Sequence, residues 1–209
     1  MPRPPGGSGA DPEEGLLDAV GLGEAAEVAV LLGEGADADQ RTPEGFTLLM
    51  IACEDGHLAV VEQLLEHGAD VRAETDKGVT AAMLAAAKGH AAILWRLLAR
   101  GADPRTPTSA GVTPLMAAAA GGHVGVVRIL LGRRVDLDAR EQSGRTAMMF
   151  AAANGHAEAV RLLLDAGARA GLRDARGETA ESLARQARAA EIERLLRDAA
   201  RPREGAAVE

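Results

Sequence analysis

A period of 33 residues runs along the chain and constrains its fold more than any other feature. The dipeptide Gly-His recurs at positions 56–57, 89–90, 122–123 and 155–156, always at this spacing. Five glycines, five threonines, four methionines and four Leu-Leu pairs follow the same step, namely Gly45, Gly78, Gly111, Gly144 and Gly177; Thr47, Thr80, Thr113, Thr146 and Thr179; Met50, Met83, Met116 and Met149; and the pairs that begin at Leu64, Leu97, Leu130 and Leu163. Because so many positions share one spacing with no insertion, the chain consists of repeated structural units.

One unit, residues 43–75, has a simple physical reading. Thr47 precedes a short apolar stretch and suits the N-cap of a helix, where its hydroxyl accepts a backbone N–H. Gly56 ends that helix in a left-handed turn, and Gly68 ends a second helix that carries its apolar residues at helical spacing. Two helices of about eight to ten residues cannot bury their apolar faces alone, so stacking of successive units is required.

The composition agrees with thin stacked layers. The 209 residues include only two Phe, one Trp and no Tyr, but 25 Gly. A single thick core would normally use aromatic bulk. Short helices that pack closely can instead use Ala, Val, Leu and Met.

The repeated pattern G-x-T-x-x-x-x-A-A-x-x-G-H-x-x-x-V-x-x-L-L-x-x-G-A-D resembles the ankyrin repeat, and residues 113–116 are nearest to that family's T-P-L-H element. The resemblance implies an all-α solenoid of helix-turn-helix units joined by short hairpin loops. We expect one ankyrin-repeat domain over residues 15–200, between disordered tails at 1–14 and 201–209. Its six units, of which the first and last are atypical polar caps, lie at about 11–42, 43–75, 76–108, 109–141, 142–174 and 175–200.

Two departures from the repeat carry structural expectations. Position 134 is Arg where the other units have Gly35, Gly68, Gly101 and Gly167, so a left-handed backbone there would cost roughly 1 kcal/mol. We therefore expect a weak point in the fourth unit, unless Gly132 absorbs the turn. The four methionines stand where the family usually has His, and we interpret them as buried gap-filling residues rather than an oxidation-sensitive row.

The sequence argues against most chemical functions. A single cysteine, Cys53, has no arranged base, and four histidines in parallel register cannot converge on one metal ion. A net charge of −8 disfavours nucleic acid, and no apolar run approaches the roughly 20 residues of a membrane span. We expect no catalytic residue, no cofactor, no metal, and neither nucleic acid nor membrane as a partner.

The resemblance implies binding of other proteins through the hairpin tips and the concave face of the first helices. In this sequence the candidate residues are Glu44, Phe46, Glu54, Asp55, Asp76, Lys77, Val79, Lys88, Val112, Arg145 and Asn154. The second unit is acidic, whereas Lys77, Lys88 and Arg145 follow in the third and fifth units. We therefore expect a partner that offers a basic patch to the second unit and an acidic or polar surface to the later ones.

These observations favour a non-enzymatic adaptor, scaffold or inhibitor that is itself a monomer. One alternative is a structural, self-assembling protein that uses Trp95, which the register places on the exposed convex face. An enzyme or ligand-binding protein is a further alternative and would require a pocket with converging polar groups. We expect a cytoplasmic location, or a nuclear one if the source is eukaryotic, because the chain shows neither a secretory signal nor a paired cysteine.

Overall fold

The computed structural model describes residues 12–200, which form helices and no β-strand. The predicted tails lie outside the described residues, except that the first helix begins at Pro12, within the segment assigned to the N-terminal tail. The helices are α1 Pro12–Leu22, α2 Ala25–Gly33, α3 Leu48–Asp55, α4 Leu58–Glu66, α5 Ala81–Lys88, α6 Ala91–Ala99, α7 Pro114–Ala120, α8 Val124–Leu131, α9 Ala147–Ala153, α10 Ala157–Asp165, α11 Ala180–Gln186 and α12 Ala190–Ala200.

These helices form six antiparallel pairs that stack in order. Within each pair the first helix contacts the second, and each helix also contacts its counterpart in the next pair. The first helices (α1, α3, α5, α7, α9 and α11, here called the inner helices) form one layer, and the outer helices (α2, α4, α6, α8, α10 and α12) form the other. The predicted all-α solenoid of helix-turn-helix units is thereby confirmed.

The repeated threonines start the inner helices as predicted. Each threonine is an N-cap in extended conformation, and its hydroxyl accepts the backbone N–H three residues later at 3.2–3.5 Å. In the four central units that third residue is the repeated methionine, which is at most 5% exposed. The methionines are therefore core residues, in agreement with the interpretation as gap fillers.

The repeated histidines link one unit to the next. Each ring Nε2 lies 2.9–3.2 Å from a backbone carbonyl 36 residues earlier, the acceptors being Gly21, Glu54, Ala87 and Ala120 for His57, His90, His123 and His156. Each of these bonds therefore joins two successive units. The acceptor belongs to the preceding unit because the stacking brings its helix end over the ring.

The glycines of the turns accommodate these rings. A Cβ atom on Gly23, Gly56, Gly89 or Gly122 would lie 2.5–2.7 Å from an atom of the next unit's histidine ring. The same glycines have φ between +66° and +84°, which favours glycine independently. Gly155 has the same backbone but open space, since the last unit has Ala189 in place of a histidine.

Arg134 does adopt the left-handed conformation, with φ +53°. Gly132 has φ −71° and does not absorb the turn. Arg188, which replaces the glycine of Gly-His in the last unit, is also left-handed with φ +57°. Two arginines thus occupy positions at which the repeat otherwise uses glycine.

Candidate protein-interaction surface

The solvent-facing side of the inner helices is defined by helical spacing. On α3, the buried residues are Leu48, Leu49, Met50, Ala52 and Cys53. The other side chains, Ile51, Glu54 and Asp55, are three or four positions apart and therefore share one side of the helix. The register carries this side, here called the inner-helix face, along four units: Ile51, Glu54 and Asp55; Leu84, Ala87 and Lys88; Ala117, Ala120 and Gly121; and Phe150, Ala153 and Asn154.

An apolar stripe runs along this face. Ile51, Leu84, Ala117 and Phe150 occupy one register position and are half-buried. Ile51, Leu84 and Phe150 also pack against the core. Sequence reasoning missed all four, because an apolar residue at helical spacing resembles a core residue. The available signal was their position three residues before Glu54 and its equivalents, which were already placed on the surface.

The hairpin tips continue the apolar character. Phe46, Val79 and Val112 share one register position and are half-buried, and Phe46 and Val112 pack against the core. The hairpins that hold the two valines are closed by a threonine hydroxyl, which accepts the valine N–H at 3.1 Å. Glu44, Asp76 and Lys77 are exposed beside these tips, as predicted.

Ion pairs change the predicted charge pattern of this surface. Lys88 Nζ lies 3.1 Å from Glu54 Oε1, so the third unit's cation is paired with the second unit's carboxylate. Arg145 lies 3.3 Å from Asp174 and 3.6 Å from Glu178, and this pairing holds the last hairpin to the fifth unit. The predicted basic surface on units three to five is therefore largely neutralised. Of its three cations, only Lys77 forms no ion pair among residues 12–200.

The acidic part of the surface keeps its charge. Glu44, Asp55 and Asp76 are exposed and have no ion-pair partner within the described part of the chain. Asn154 is exposed, but its amide donates a 2.9 Å hydrogen bond to the carbonyl oxygen of Ala120. The surface that remains available to a partner is apolar along its centre and acidic over the second unit and the adjoining hairpin.

Asp174 is the most strongly embedded carboxylate near this surface. Its side chain is only 2% exposed. Burial alone would raise its pKa, but the N–H groups of Glu178 and Arg176, each at 2.9 Å, and the Arg145 guanidinium outweigh this effect and lower the pKa. The ionised carboxylate therefore organises the turn that follows the fifth unit.

Trp95 lies on an outer helix and is 52% exposed, as its register predicts. The Arg96 guanidinium lies 5.8 Å from the indole centroid and also forms a 2.6 Å ion pair with Glu62. Farther along the outer helices, Arg128 and Arg161 pair with Glu158 and Glu191. Charged pairs therefore lie in this layer on both sides of Trp95 along the stack, and the other large exposed apolar residue of the described outer helices is Val30, two units away.

Cys53 is fully buried, and burial raises the pKa of its thiol far above the usual value. Within residues 12–200 no three His, Cys, Asp or Glu side chains are grouped as metal ligands would be. The helices in the same range are too short or too polar to span a membrane.

Comparison with known families agrees with this architecture. The family model described as ankyrin repeats (3 copies) matches residues 16–108 and again residues 83–174, which together span most of the solenoid. The chain belongs to the ankyrin repeat family. Ankyrin repeats are generally protein–protein interaction modules and are typically not enzymes. A comparison with curated proteins finds no significant match.

Proposed function

We propose that this protein is a non-enzymatic interaction module, acting as an adaptor, scaffold or inhibitor, that binds a partner protein along the inner-helix face and the hairpin tips of units two to five. The observation that supports this most is the half-buried apolar stripe of Ile51, Leu84, Ala117 and Phe150. Four successive units present a partly exposed apolar side chain at one register position on this face.

The shape of the stripe suggests how a partner would fit. Stacked helices are about 8–10 Å apart, so successive contacts recur at this distance. A partner helix that runs along the stripe would match it with apolar residues seven positions apart, which its rise places about 10.5 Å apart. Ala117, Ala120 and Gly121 leave room in the fourth unit for a large side chain of the partner.

The charges suggest the orientation of that partner. Glu44, Asp55 and Asp76 are exposed without ion pairs among the described residues, so the partner's basic end would lie over the second unit. The pairing of Lys88 and Arg145 removes the reason to expect an acidic segment over the later units. We therefore propose a partner segment that is amphipathic and basic at one end.

Affinity purification from the native cell with a matched pair of variants tests this proposal. Ala117→Arg places a bulky charge on the stripe without changing a buried position, and Trp95→Ala alters only the outer face. We expect one protein to be captured by the wild type and by Trp95→Ala but lost with Ala117→Arg. Capture by Ala117→Arg at wild-type level, with circular dichroism showing that the variant is folded, would contradict the surface assignment.

A structural role through self-association is the second candidate, because Trp95 is a large exposed aromatic. We expect a monomer, since charged pairs surround this residue. Sedimentation velocity over a range of concentrations decides the question: a concentration-dependent larger species that disappears with Trp95→Ala would favour self-association. A cytoplasmic location remains a prediction.

A further inference from the structure

A cavity of about 390 Å³ lies between the third and fourth units, away from the inner-helix face. Its walls come from the loop that follows α6, the start of α7, and the loop that follows α8. Pro104, Pro107, Leu115, Val135 and Ala139 supply an apolar lining. The volume falls within the roughly 300–1,000 Å³ that small-molecule sites usually have.

The repeat provides an internal control for this cavity. The equivalent space one unit earlier has a different form. One part, lined by residues 33 positions back such as Val71, Thr80, Ala82 and Ala102, has only about 110 Å³, and a second space of about 400 Å³ lies against Arg72 and Gly101. The Arg72 guanidinium borders both spaces and donates to the carbonyl oxygen of Gly101 at 3.0 Å. In this interface, therefore, the arginine is held by the backbone of the next unit.

The next interface differs in two ways. Arg105, the counterpart of Arg72, is turned onto its own loop, where its guanidinium makes two bonds of 2.9 and 3.2 Å to the Asp103 carboxylate. Arg134, the counterpart of Gly101, lines the cavity. The side chain of Arg134 has no hydrogen bond or ion pair with any residue in the range 12–200.

The backbone of Arg134 strengthens the argument for a ligand. Its φ of +53° is a conformation that costs an L-residue roughly 1–2 kcal/mol, and glycine occupies this register position in four other units. Strained residues of this kind concentrate at ligand-binding positions. The Arg134 side chain is exposed at the wall of the cavity and has no partner within residues 12–200, so its guanidinium is available to a bound group.

The charges at the wall select the class of ligand. Arg105, Arg134 and Arg140 line the cavity with one carboxylate, that of Asp136. Arg140 uses one donor on the carbonyl oxygen of Arg173, and its guanidinium retains its charge. Because Arg105 is paired with Asp103, the free positive charge of this region comes from Arg134 and Arg140, in a chain whose net charge is −8. An anion with an apolar body would satisfy both the wall and the lining.

We propose that the cavity between units three and four binds a small organic anion, a carboxylate or sulfonate with an apolar body, whose charged group is held by Arg134. The anionic group lies at the arginines and the apolar body lies against Leu115, Val135 and the prolines. This site adjoins the Val112 hairpin of the proposed partner surface through Gly111 and Thr113, but its charged residues, Arg134 and Arg140, are not part of that surface.

The test uses the full chain and two probes of nearly the same shape, 2-naphthoate and neutral 2-naphthalenemethanol. Titrations are followed by the methyl NMR signals of Leu115 and Val135, with those of Leu64 and Leu163 as reference. We expect naphthoate to shift the two cavity methyl signals with saturation, and the alcohol to bind about tenfold more weakly, since a charge-assisted bond is lost.

Variants then locate the charge. Arg134→Gly keeps the turn and removes the guanidinium, so naphthoate affinity should fall by about tenfold. Arg134→Lys should retain part of the affinity for naphthoate. Arg133→Gln removes an adjacent exposed cation that does not line the cavity and should change affinity by less than about twofold.

Three results would overturn the proposal. They are an absence of shifts at Leu115 and Val135, equal affinity for the acid and the alcohol, and unchanged binding by Arg134→Gly. A short peptide with a free C-terminal Phe serves as a comparison. If it saturates the cavity methyl signals while naphthoate does not, the site takes a protein terminus, and the small-ligand proposal is wrong.

Discussion

Replacing Arg134 by glycine should stabilise the fourth unit, although it removes a long side chain. The guanidinium makes no bond within residues 12–200, so the substitution loses little, and it relieves a backbone with φ +53°. The left-handed conformation costs an L-residue about 1–2 kcal/mol, which the substitution removes. The greater freedom of glycine stabilises the unfolded chain and offsets about 0.4–1 kcal/mol of this gain. The expected net stabilisation is therefore about 1 kcal/mol.

Amide hydrogen exchange measures this change at the level of a unit. In a solenoid each unit depends mainly on its neighbours, so the effect should be local. A stabilisation of 1 kcal/mol corresponds to a decrease of about fivefold in the opening equilibrium. Amides of α8, such as those of Val127 and Leu130, should exchange more slowly by this factor, while those of α4 should be unaffected. In the wild type, α8 should exchange faster than α6 and α10.

The reciprocal substitution is the control. Gly167 has the same register position, a φ of +93° and no atom within 4 Å of a Cβ placed on it. Gly167→Arg should therefore destabilise the fifth unit by about 1 kcal/mol through the backbone alone. If Arg134→Gly accelerates exchange in α8, or if wild-type protection is uniform across units three to five, the strain argument is refuted. Faster exchange would mean that the arginine makes a stabilising contact.

Three further predictions follow from the described contacts. Gly89→Ala should lower the stability measured by urea denaturation more than Gly155→Ala does. Both glycines are left-handed, but only at Gly89 would the new Cβ meet a ring, that of His123 at 2.5 Å. Equal losses of stability would show that the ring moves away freely. Thr113→Ala should lower the free energy of unfolding by about 1 kcal/mol in the same assay, because an N-cap is lost, and Thr113→Ser should retain most of that stability. An alanine variant as stable as the wild type would contradict the capping role. Since the folded-state pKa of Asp174 is lowered, its ionisation stabilises the protein above its unfolded pKa of about 3.9, and this contribution is lost as the pH falls through the lower folded value. Asp174→Asn should be less stable than the wild type at pH 7 and should lose less stability on acidification. If the variant loses stability at the same pH and by the same amount as the wild type, this carboxylate is not the source of the acid transition.

The inner-helix face illustrates what a repeat pattern predicts well and poorly. The register placed Glu54 and Asp55 on the surface because glycine positions fix the end of each inner helix. It did not place Ile51 and Phe150 on the surface, since spacing alone does not distinguish a half-buried apolar residue from a buried one. It also treated Lys88 and Arg145 as free cations, although Lys88 pairs with Glu54 of the preceding unit and Arg145 pairs with Asp174 and Glu178, about 30 residues away.

The sequence alone determined the architecture: the number of units, the threonine caps, the glycine turns and the solenoid all follow from a 33-residue period whose local rules are the same in every unit. The tertiary structure decided everything that lies between units. It showed that the histidine of each Gly-His pair bonds to the preceding unit, that Arg145 pairs with Asp174 and Glu178, and that a cavity lies beside Arg105 and Arg134. The physical reason is distance along the chain. Helix caps and turns are made by residues a few positions apart, whereas the histidine and Arg145 contacts join groups about one repeat apart, and no local pattern specifies the side-chain rotamers that make them.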